Sequence, residues 1–390
     1  MLLSLALVLS TALLFSGIFN RLKLPGLIGM MCAGMLLGPH GFNLIDASLL
    51  NISSELRQIA LIVILLRAGL ALDLEDLKKI GRPAFLLSFV PASFEIIAIT
   101  LLGPKFLGLS IIDSALLGSI IAAVSPAVVV PRMLNLMQNE KANHKRIPQL
   151  IMAGASVDDV FVIVLFTSFL ALAQGQEVNA FTFVRLPIGL VIGILTGIIF
   201  SILLVLFFKK FHIRDTVKFL IILSASFILV NIESYYGKII PFSGYIAILA
   251  MGISLLEKYP IMSHRLSHKF NKAWVAAEIL LFVLVGAIVD LKHLQFIGLS
   301  ALILLTLGLI FRSIGVLVSI TKNGFNPKEK IFSTIAYIPK ATVQAAIGAI
   351  PLSVGLESGN TILAMAVLAI LVTAPLGAIG MDKLRSFIEK

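Results

Sequence analysis

The sequence predicts an all-α polytopic membrane protein of about thirteen transmembrane helices, built from two inverted six-helix repeats. Three observations predict this fold class. First, 59% of the 390 residues are hydrophobic and only 13% are charged, whereas a soluble protein carries about 25% charged residues. Second, Lys and Arg concentrate in alternate connections between the apolar segments. Third, the two halves of the chain share a motif at a constant spacing.

The apolar segments are long enough to span a bilayer, because a helix crosses the hydrocarbon core with about 20 residues. The candidate spans are 1–19, 26–44, 56–72, 83–104, 110–136, 147–174, 183–208, 216–236, 240–256, 273–289, 295–321, 329–354 and 360–380. The first span lacks a charged n-region and an A-x-A-like cleavage site, so we expect a retained helix and not a signal peptide.

The distribution of basic residues predicts the orientation of the chain. Most of the 31 Lys and Arg residues fall in the odd-numbered connections and the C-terminal tail. The opposite side holds only Arg57, Lys105, Arg185, Lys238 and Lys292. Because cytoplasmic loops carry the excess of positive charge, we expect an inner-membrane (plasma-membrane) protein with its N-terminus outside and its C-terminus in the cytoplasm.

An internal repeat relates residues 67–81 (RAGLALDLEDLKKIG) to residues 284–298 (LVGAIVDLKHLQFIG) at a spacing of 217. It divides the chain into a first repeat (1–174), a linker helix (183–208) and a second repeat (216–380). Seven crossings precede the second repeat, so it enters the membrane from the opposite side. Inverted repeats are typical of secondary transporters, whose binding site lies near the midplane at the repeat interface. At this spacing the equivalent pairs include Gly69 and Gly286, Asp73 and Asp290, Glu95 and Arg312, and Ser125 and Thr342.

Two spans are predicted to be broken at equivalent positions. Ser125-Pro126 interrupts one span, and the segment from Pro339 to Thr342 interrupts its counterpart. Proline removes a backbone donor and frees a carbonyl four residues earlier. We therefore expect free carbonyls near Ala122 and Ala123, lining a cavity.

The adjacent carboxylates Asp158 and Asp159 lie in the middle of an apolar segment. A charge at bilayer depth costs at least a few kcal/mol, so such residues face a partner or a water-filled pathway. Adjacent like charges are stable only if one binds a proton or a cation, or is paired. Lys340 is the expected counter-charge, pairing with Asp158 or Asp159, and these three residues are the predicted ion- and proton-binding group.

Further polar residues at membrane depth complete the predicted site. Glu95 and Arg312 are expected to form a buried ion pair that clamps the two repeats together. Arg67, six residues before Asp73 at the end of its span, is interpreted as an interfacial residue or as a member of a local ion pair. The predicted supporting oxygen ligands for a small monovalent cation are Ser125, Ser156 and Thr342.

Four motifs, in chain order LLRAGLALDLEDLKKIGRPA, SPAVVVPRML, ASVDDVFVIVLF and YIPKATVQAAIG, resemble bacterial members of the NHA-type sodium/proton exchangers, in the monovalent cation:proton antiporter superfamily. The resemblance covers essentially the whole chain. It implies an NhaA-like fold with two crossed, partly unwound helices. It further implies a homodimer, with a dimerisation domain at about 1–44 and 183–256 and a mobile core at about 56–174 and 273–380.

By position, the resemblance implies that Asp159 is the main carboxylate for sodium (or lithium) and protons, with Asp158 beside it and paired with Lys340. It implies exchange by elevator-type alternating access. Many superfamily members carry Thr-Asp near the first crossing, where this chain has Ser125-Pro126-Ala127 and no acid. The coordination of the ion therefore differs in detail from that pattern.

Several other functions remain open at this stage. A potassium/proton antiporter, or a sodium-coupled organic-anion symporter of related fold, would share most of these features. An intramembrane aspartyl protease would need two Asp on facing helices, and here they are adjacent on one helix. No phosphate-binding G-x-x-x-x-G-K-[ST] motif supports an ATP-driven pump, and a channel would not explain broken helices with a paired Lys. The single Cys and six His show no metal-ligand spacing, so no resident metal is predicted. The transporter interpretation predicts neither an enzyme nor a cofactor. Sodium and protons are the expected partners.

Overall fold

A computed structural model describes residues 1–71, 81–138, 146–175, 180–236, 242–321 and 324–388, without the side chains of 138, 146, 156, 180–187 and 234. All regular structure in these ranges is helical. In chain order the helices are α1 (Leu2–Arg21), α2 (Gly26–Leu37), α3 (Ala47–Asn51), α4 (Ser53–Ala71), α5 (Arg82–Leu87), α6 (Val90–Leu107), α7 (Ile111–Ile121), α8 (Pro126–Gln138), α9 (Arg146–Ala173), α10 (Ala180–Lys210), α11 (Asp215–Tyr236), α12 (Gly244–Lys258), α13 (Pro260–Ile288), α14 (Leu291–Ile320), α15 (Pro327–Ala336), α16 (Thr342–Ile347), α17 (Ile350–Ser353) and α18 (Gly359–Lys383), followed by a 3₁₀ turn at Arg385–Phe387.

The membrane-spanning character of the chain is confirmed. Within the described ranges, 9 helical segments are long and apolar enough to cross a membrane. The four other predicted spans coincide with α2, α4, α12 and the interrupted series α15–α17, which are shorter, more polar or broken. The predicted number of thirteen crossings therefore stays a prediction.

The chain forms two compact units. One comprises Met1–Glu55, Asp76–Ala173 and Ile279–Lys390, and the other comprises Leu56–Glu75 and Gln174–Glu278. All residues of the candidate site described below belong to the first unit. The predicted division into a core and a dimerisation domain follows different boundaries and stays a prediction.

Glycines at equivalent repeat positions support equivalent helix crossings, one in each unit. In the first unit a Cβ at Gly286 would overlap the Met31 carbonyl oxygen of α2. In the second unit a Cβ at Gly69 would lie 2.8 Å from the carbonyl oxygen of Leu249 in α12. Small residues let membrane helices approach this closely. The repeat segment 72–80, which includes Asp73, lies outside the described residues.

The fourth helices of the two repeats, α6 and α14, pack against each other. A Cβ at Gly315 of α14 would lie 2.7 Å from Pro91 Cα of α6, and one at Gly308 would lie 3.0 Å from Ile99 Cδ1. This close packing brings the buried Glu95 of α6 alongside Arg312 of α14. Helix packing thus places two charged residues of opposite sign inside the apolar layer.

The two predicted helix breaks are confirmed. α7 ends at Ile121 and α8 begins at Pro126, while α15 ends at Ala336 and α16 begins at Thr342. The breaks contact each other, because the Ser125 backbone N–H donates to the Pro339 carbonyl oxygen at 2.8 Å. Proline in each break removes a helical hydrogen bond, and this contact supplies one replacement between the two breaks.

Candidate functional site

The aspartate pair lies on α9, one side of which faces the two helix breaks. Asp158 is 0% exposed and Asp159 is 9% exposed. The Oδ2 atom of Asp158 accepts a hydrogen bond from the Val124 backbone N–H at 2.8 Å and from Arg312 Nη2 at 3.0 Å. The break after α7 frees this N–H, so the unwound backbone provides one of the two donors to the carboxylate.

Arg312, in the second repeat, contacts the backbone at both helix breaks and the Glu95 side chain of the first repeat. Its Nε donates to the Tyr337 carbonyl oxygen at 2.7 Å, and its Nη1 donates to Glu95 Oε2 at 3.0 Å and to the Ala122 carbonyl oxygen. Its guanidinium carbon lies 5.6 Å from the centroid of the Tyr337 ring. The ion pair between Glu95 and Arg312, which the 217-residue spacing suggested, is present. The five N–H donors in the planar fork of Arg allow Arg312 to reach four acceptors at once, whereas a Lys ammonium has three donors in a different geometry.

The expected pairing of Lys340 with an aspartate is wrong. Lys340 Nζ donates to Glu95 Oε2 at 2.6 Å, and in the described chain its ion pair is with that residue. The physical reason is that Asp158 is already paired with Arg312, whereas Glu95 lies within hydrogen-bonding distance of both Arg312 and Lys340. The Lys340 backbone N–H donates to Thr373 Oγ1 at 2.9 Å, which holds the second break against α18.

Four buried charges therefore form a balanced network, which we call the charge tetrad: Glu95, Asp158, Arg312 and Lys340. Two carboxylates oppose two cations, so its formal charge is zero. Asp159 is additional to the tetrad. Across the described ranges it has no ion pair within 4.0 Å, and its Oδ1 atom has no hydrogen-bond partner. The site therefore holds one more negative charge than positive charges when Asp159 is ionised.

The predicted oxygen ligands divide into hydroxyls and carbonyls. Ser125 Oγ and Thr342 Oγ1 are buried and have no hydrogen-bond partner among the described residues. The side chain of Ser156 lies outside the described residues. The prediction of free carbonyls is wrong, because the Ala122 oxygen accepts from Arg312 and the Ala123 oxygen accepts from Gln344 Nε2 at 2.8 Å.

Sequence reasoning missed three contributors to the site. Gln344 contacts the first break, Tyr337 accepts from Arg312, and Thr373 anchors Lys340. Gln344 carried a usable signal, since it is a polar side chain two residues after Thr342 in a segment already predicted to be broken. Tyr337 and Thr373 carried none, because one acts through its backbone carbonyl and the other is a small polar residue in an apolar helix.

The family profile described as sodium/hydrogen exchanger, transmembrane, matches residues 7–381. The chain belongs to the sodium/hydrogen exchanger family. Sodium/hydrogen exchanger 9B2 of Homo sapiens is 34% identical over 376 residues, which cover 91% of this chain and 68% of that protein. Sodium/hydrogen exchanger 9B1 of Homo sapiens is 32% identical over 374 residues, covering 91% of this chain and 71% of that protein.

The fold of this exchanger is also that of a solved structure. The sodium proton antiporter MjNhaP1 from Methanocaldococcus jannaschii at pH 8 superimposes with a TM-score of 0.82 and 19% sequence identity, covering 99% of this chain and 96% of that chain. The family profile and the two relatives confirm the predicted sodium/proton exchanger of the monovalent cation:proton antiporter superfamily, and the solved structure confirms the predicted antiporter fold. The protein is a multi-pass membrane transporter.

Proposed function

We propose that this family member exchanges sodium, or lithium, for protons, and that Asp159 carries both ions in competition. The observation that carries the proposal is the charge count of the site. Each of the other four buried charges has a partner of opposite sign, whereas Asp159 has none in the described residues. One bound proton or one bound monovalent cation would neutralise it.

This charge count gives a physical reason for coupled exchange. An unloaded site carries one net negative charge, and moving a charged side chain to the bilayer centre costs about 2.5–3.5 kcal/mol or more. A loaded site is neutral, so its change of exposure avoids that cost. The site therefore changes its exposure from one side of the membrane to the other with sodium or a proton bound, and rarely when it is empty.

The other polar groups have supporting roles in this proposal. Asp158, fixed by Arg312 and the Val124 N–H, contributes negative potential beside the ion. The hydroxyls of Ser125 and Thr342, and that of Ser156, are the proposed additional ligands. The Glu95–Arg312 contact clamps the repeats. Lys340 acts as a fixed counter-charge held by Glu95, so we expect one proton exchanged per sodium without net charge movement.

The proposal also includes how the protein moves during exchange and how it assembles. We propose an elevator-type movement of a core at about 56–174 and 273–380 against a dimerisation domain at about 1–44 and 183–256. We propose a homodimer in the inner membrane. An N-terminus outside and a C-terminus in the cytoplasm would account for the distribution of basic residues. The exposed apolar side chains of α10, including Ile188, Leu195 and Leu203, are suited to contact with lipid or a second protomer.

Reconstituted protein in acid-interior liposomes with a trapped pH dye tests the proposal. External sodium or lithium should alkalinise the lumen, and Asp159→Asn should abolish the response. Asp113→Asn is the matched control, because the Asp113 carboxylate lies outside the site and accepts from the Ser110 hydroxyl at the start of α7. Potassium in the same series tests the potassium/proton alternative. No pH response to any cation from folded wild-type protein would refute antiport.

A further inference from the structure

Gln344 is a buried amide that contacts the end of the first half-helix. It is 1% exposed and lies on α16. Its Nε2 atom donates to the carbonyl oxygens of Ile120 at 3.2 Å, Ile121 at 3.4 Å and Ala123 at 2.8 Å. A side chain from the second broken helix thereby holds the C-terminal carbonyls of the first. Within the part of the chain that the structure describes, the Oε1 atom of Gln344 has no hydrogen-bond partner.

The carbonyls that Gln344 contacts are natural cation ligands. The last carbonyls of a helix lack intrahelical partners, and they lie at the negative end of the helix dipole. Carbonyl oxygens of unwound backbone coordinate monovalent ions in many transport proteins. Here the amide of Gln344 binds three of them, and Arg312 binds the carbonyl of Ala122. Both donors direct their hydrogens at carbonyl oxygens of the first helix break and of the helix end before it.

We propose that Gln344 is a positioning residue that sets the cation selectivity of the exchange site. By holding the carbonyls of residues 120, 121 and 123, it keeps them out of the coordination shell, which leaves the carboxylate of Asp159 and the nearby hydroxyls as ligands. It also fixes the backbone that presents the Val124 N–H to Asp158. A few side-chain oxygens of high charge density favour small ions over potassium. The inference rests on the proposed exchange at Asp159 and adds a residue that determines which cation the site prefers.

The Gln344→Met variant removes the amide and keeps the length of the side chain. The freed carbonyls become available to the ion, and the break loses its fixed geometry. We expect the KM for sodium to rise about tenfold, since loss of partners for buried polar groups has a cost of this order. The KM for potassium should rise less or fall. The ratio of the KM for sodium to the KM for potassium should therefore increase. The maximal rate should change less than the KM.

A matched control distinguishes this role from general packing. Val343 is a buried neighbour on the same short helix, and Val343→Ala removes packing without removing a hydrogen bond. Val343→Ala should change the expression level or the maximal rate. The ratio of the KM for sodium to the KM for potassium should stay as in the wild type. An equal shift of the ratio in Val343→Ala and Gln344→Met would overturn the proposal.

The isosteric Gln344→Glu variant provides a second, independent test, and it carries the proposal if Gln344→Met does not fold. An ionised carboxylate cannot donate to the carbonyls and adds a negative charge beside them, whereas a protonated carboxyl can donate once. Sodium-driven exchange should therefore weaken at high pH and recover on acidification, relative to wild type at each pH. Unchanged selectivity and pH profile in both Gln344 variants would refute the role of Gln344. Absence of exchange in the wild type would instead refute the proposed function.

Discussion

The charge tetrad predicts strong energetic coupling between Glu95 and Lys340. Glu95 Oε2 accepts from Lys340 Nζ at 2.6 Å and from Arg312 Nη1 at 3.0 Å, and all three side chains are buried. Glu95→Gln leaves two cations with one carboxylate, and Lys340→Met leaves two carboxylates with one cation. Removing one partner of a buried ion pair costs about 3–5 kcal/mol. The double variant keeps the neutral pair of Arg312 with Asp158.

The double variant should consequently be about as stable as either single variant, or more stable, and not as unstable as their sum. We expect a coupling free energy of about 3 kcal/mol or more, because the second substitution restores charge balance. The assay is a double-mutant cycle on the free energy of unfolding, measured by SDS titration in mixed micelles with far-ultraviolet circular dichroism. Additive effects, within about 0.5 kcal/mol, would refute the reasoning that the tetrad is a balanced unit.

Three further predictions concern the framework of the site. Arg312→Lys should lower stability by about 2–3 kcal/mol in the same titration, because an ammonium cannot replace the charge-assisted bonds of a planar fork; equal stability to wild type would contradict this. Gly34→Val should cost about 1–3 kcal/mol by overpacking, since a Cβ at Gly34 would overlap the Val283 carbonyl oxygen, and thermal unfolding in detergent measures it. Asn326→Ala should cost about 1 kcal/mol, because Asn326 and Glu329 form a capping box. Asn326→Asp, which keeps the cap, should stay close to wild type.

The fold was predictable from patterns that depend on local chemistry. The length of the apolar segments identifies membrane-spanning helices, and proline marks the helix breaks at Pro126 and Pro339. The 217-residue spacing also predicted the contact of Glu95 with Arg312, because equivalent helices of inverted repeats meet at a common axis. These inferences need no knowledge of side-chain conformation.

The partner of Lys340 and the role of Gln344 could not be predicted in this way. Glu95, Asp158 and Asp159 are all carboxylates at similar depth, and the choice among them depends on which one Arg312 already occupies. The Val124 N–H and the Ala122 carbonyl act through the backbone, whose direction at a helix break is a property of the tertiary structure. Composition does not encode such contacts.

The measurement that most directly tests competition at Asp159 is sodium-induced proton release. Purified protein in weakly buffered detergent solution is titrated with sodium chloride, with choline chloride as the ionic-strength control, while a pH dye records released protons. If one carboxylate binds either ion, sodium should release up to about one proton per chain, and lowering the pH should weaken sodium binding by the reciprocal effect. Asp159→Asn should release none. Sodium binding without proton release in the wild type at every pH tested, or undiminished release from Asp159→Asn, would contradict the account.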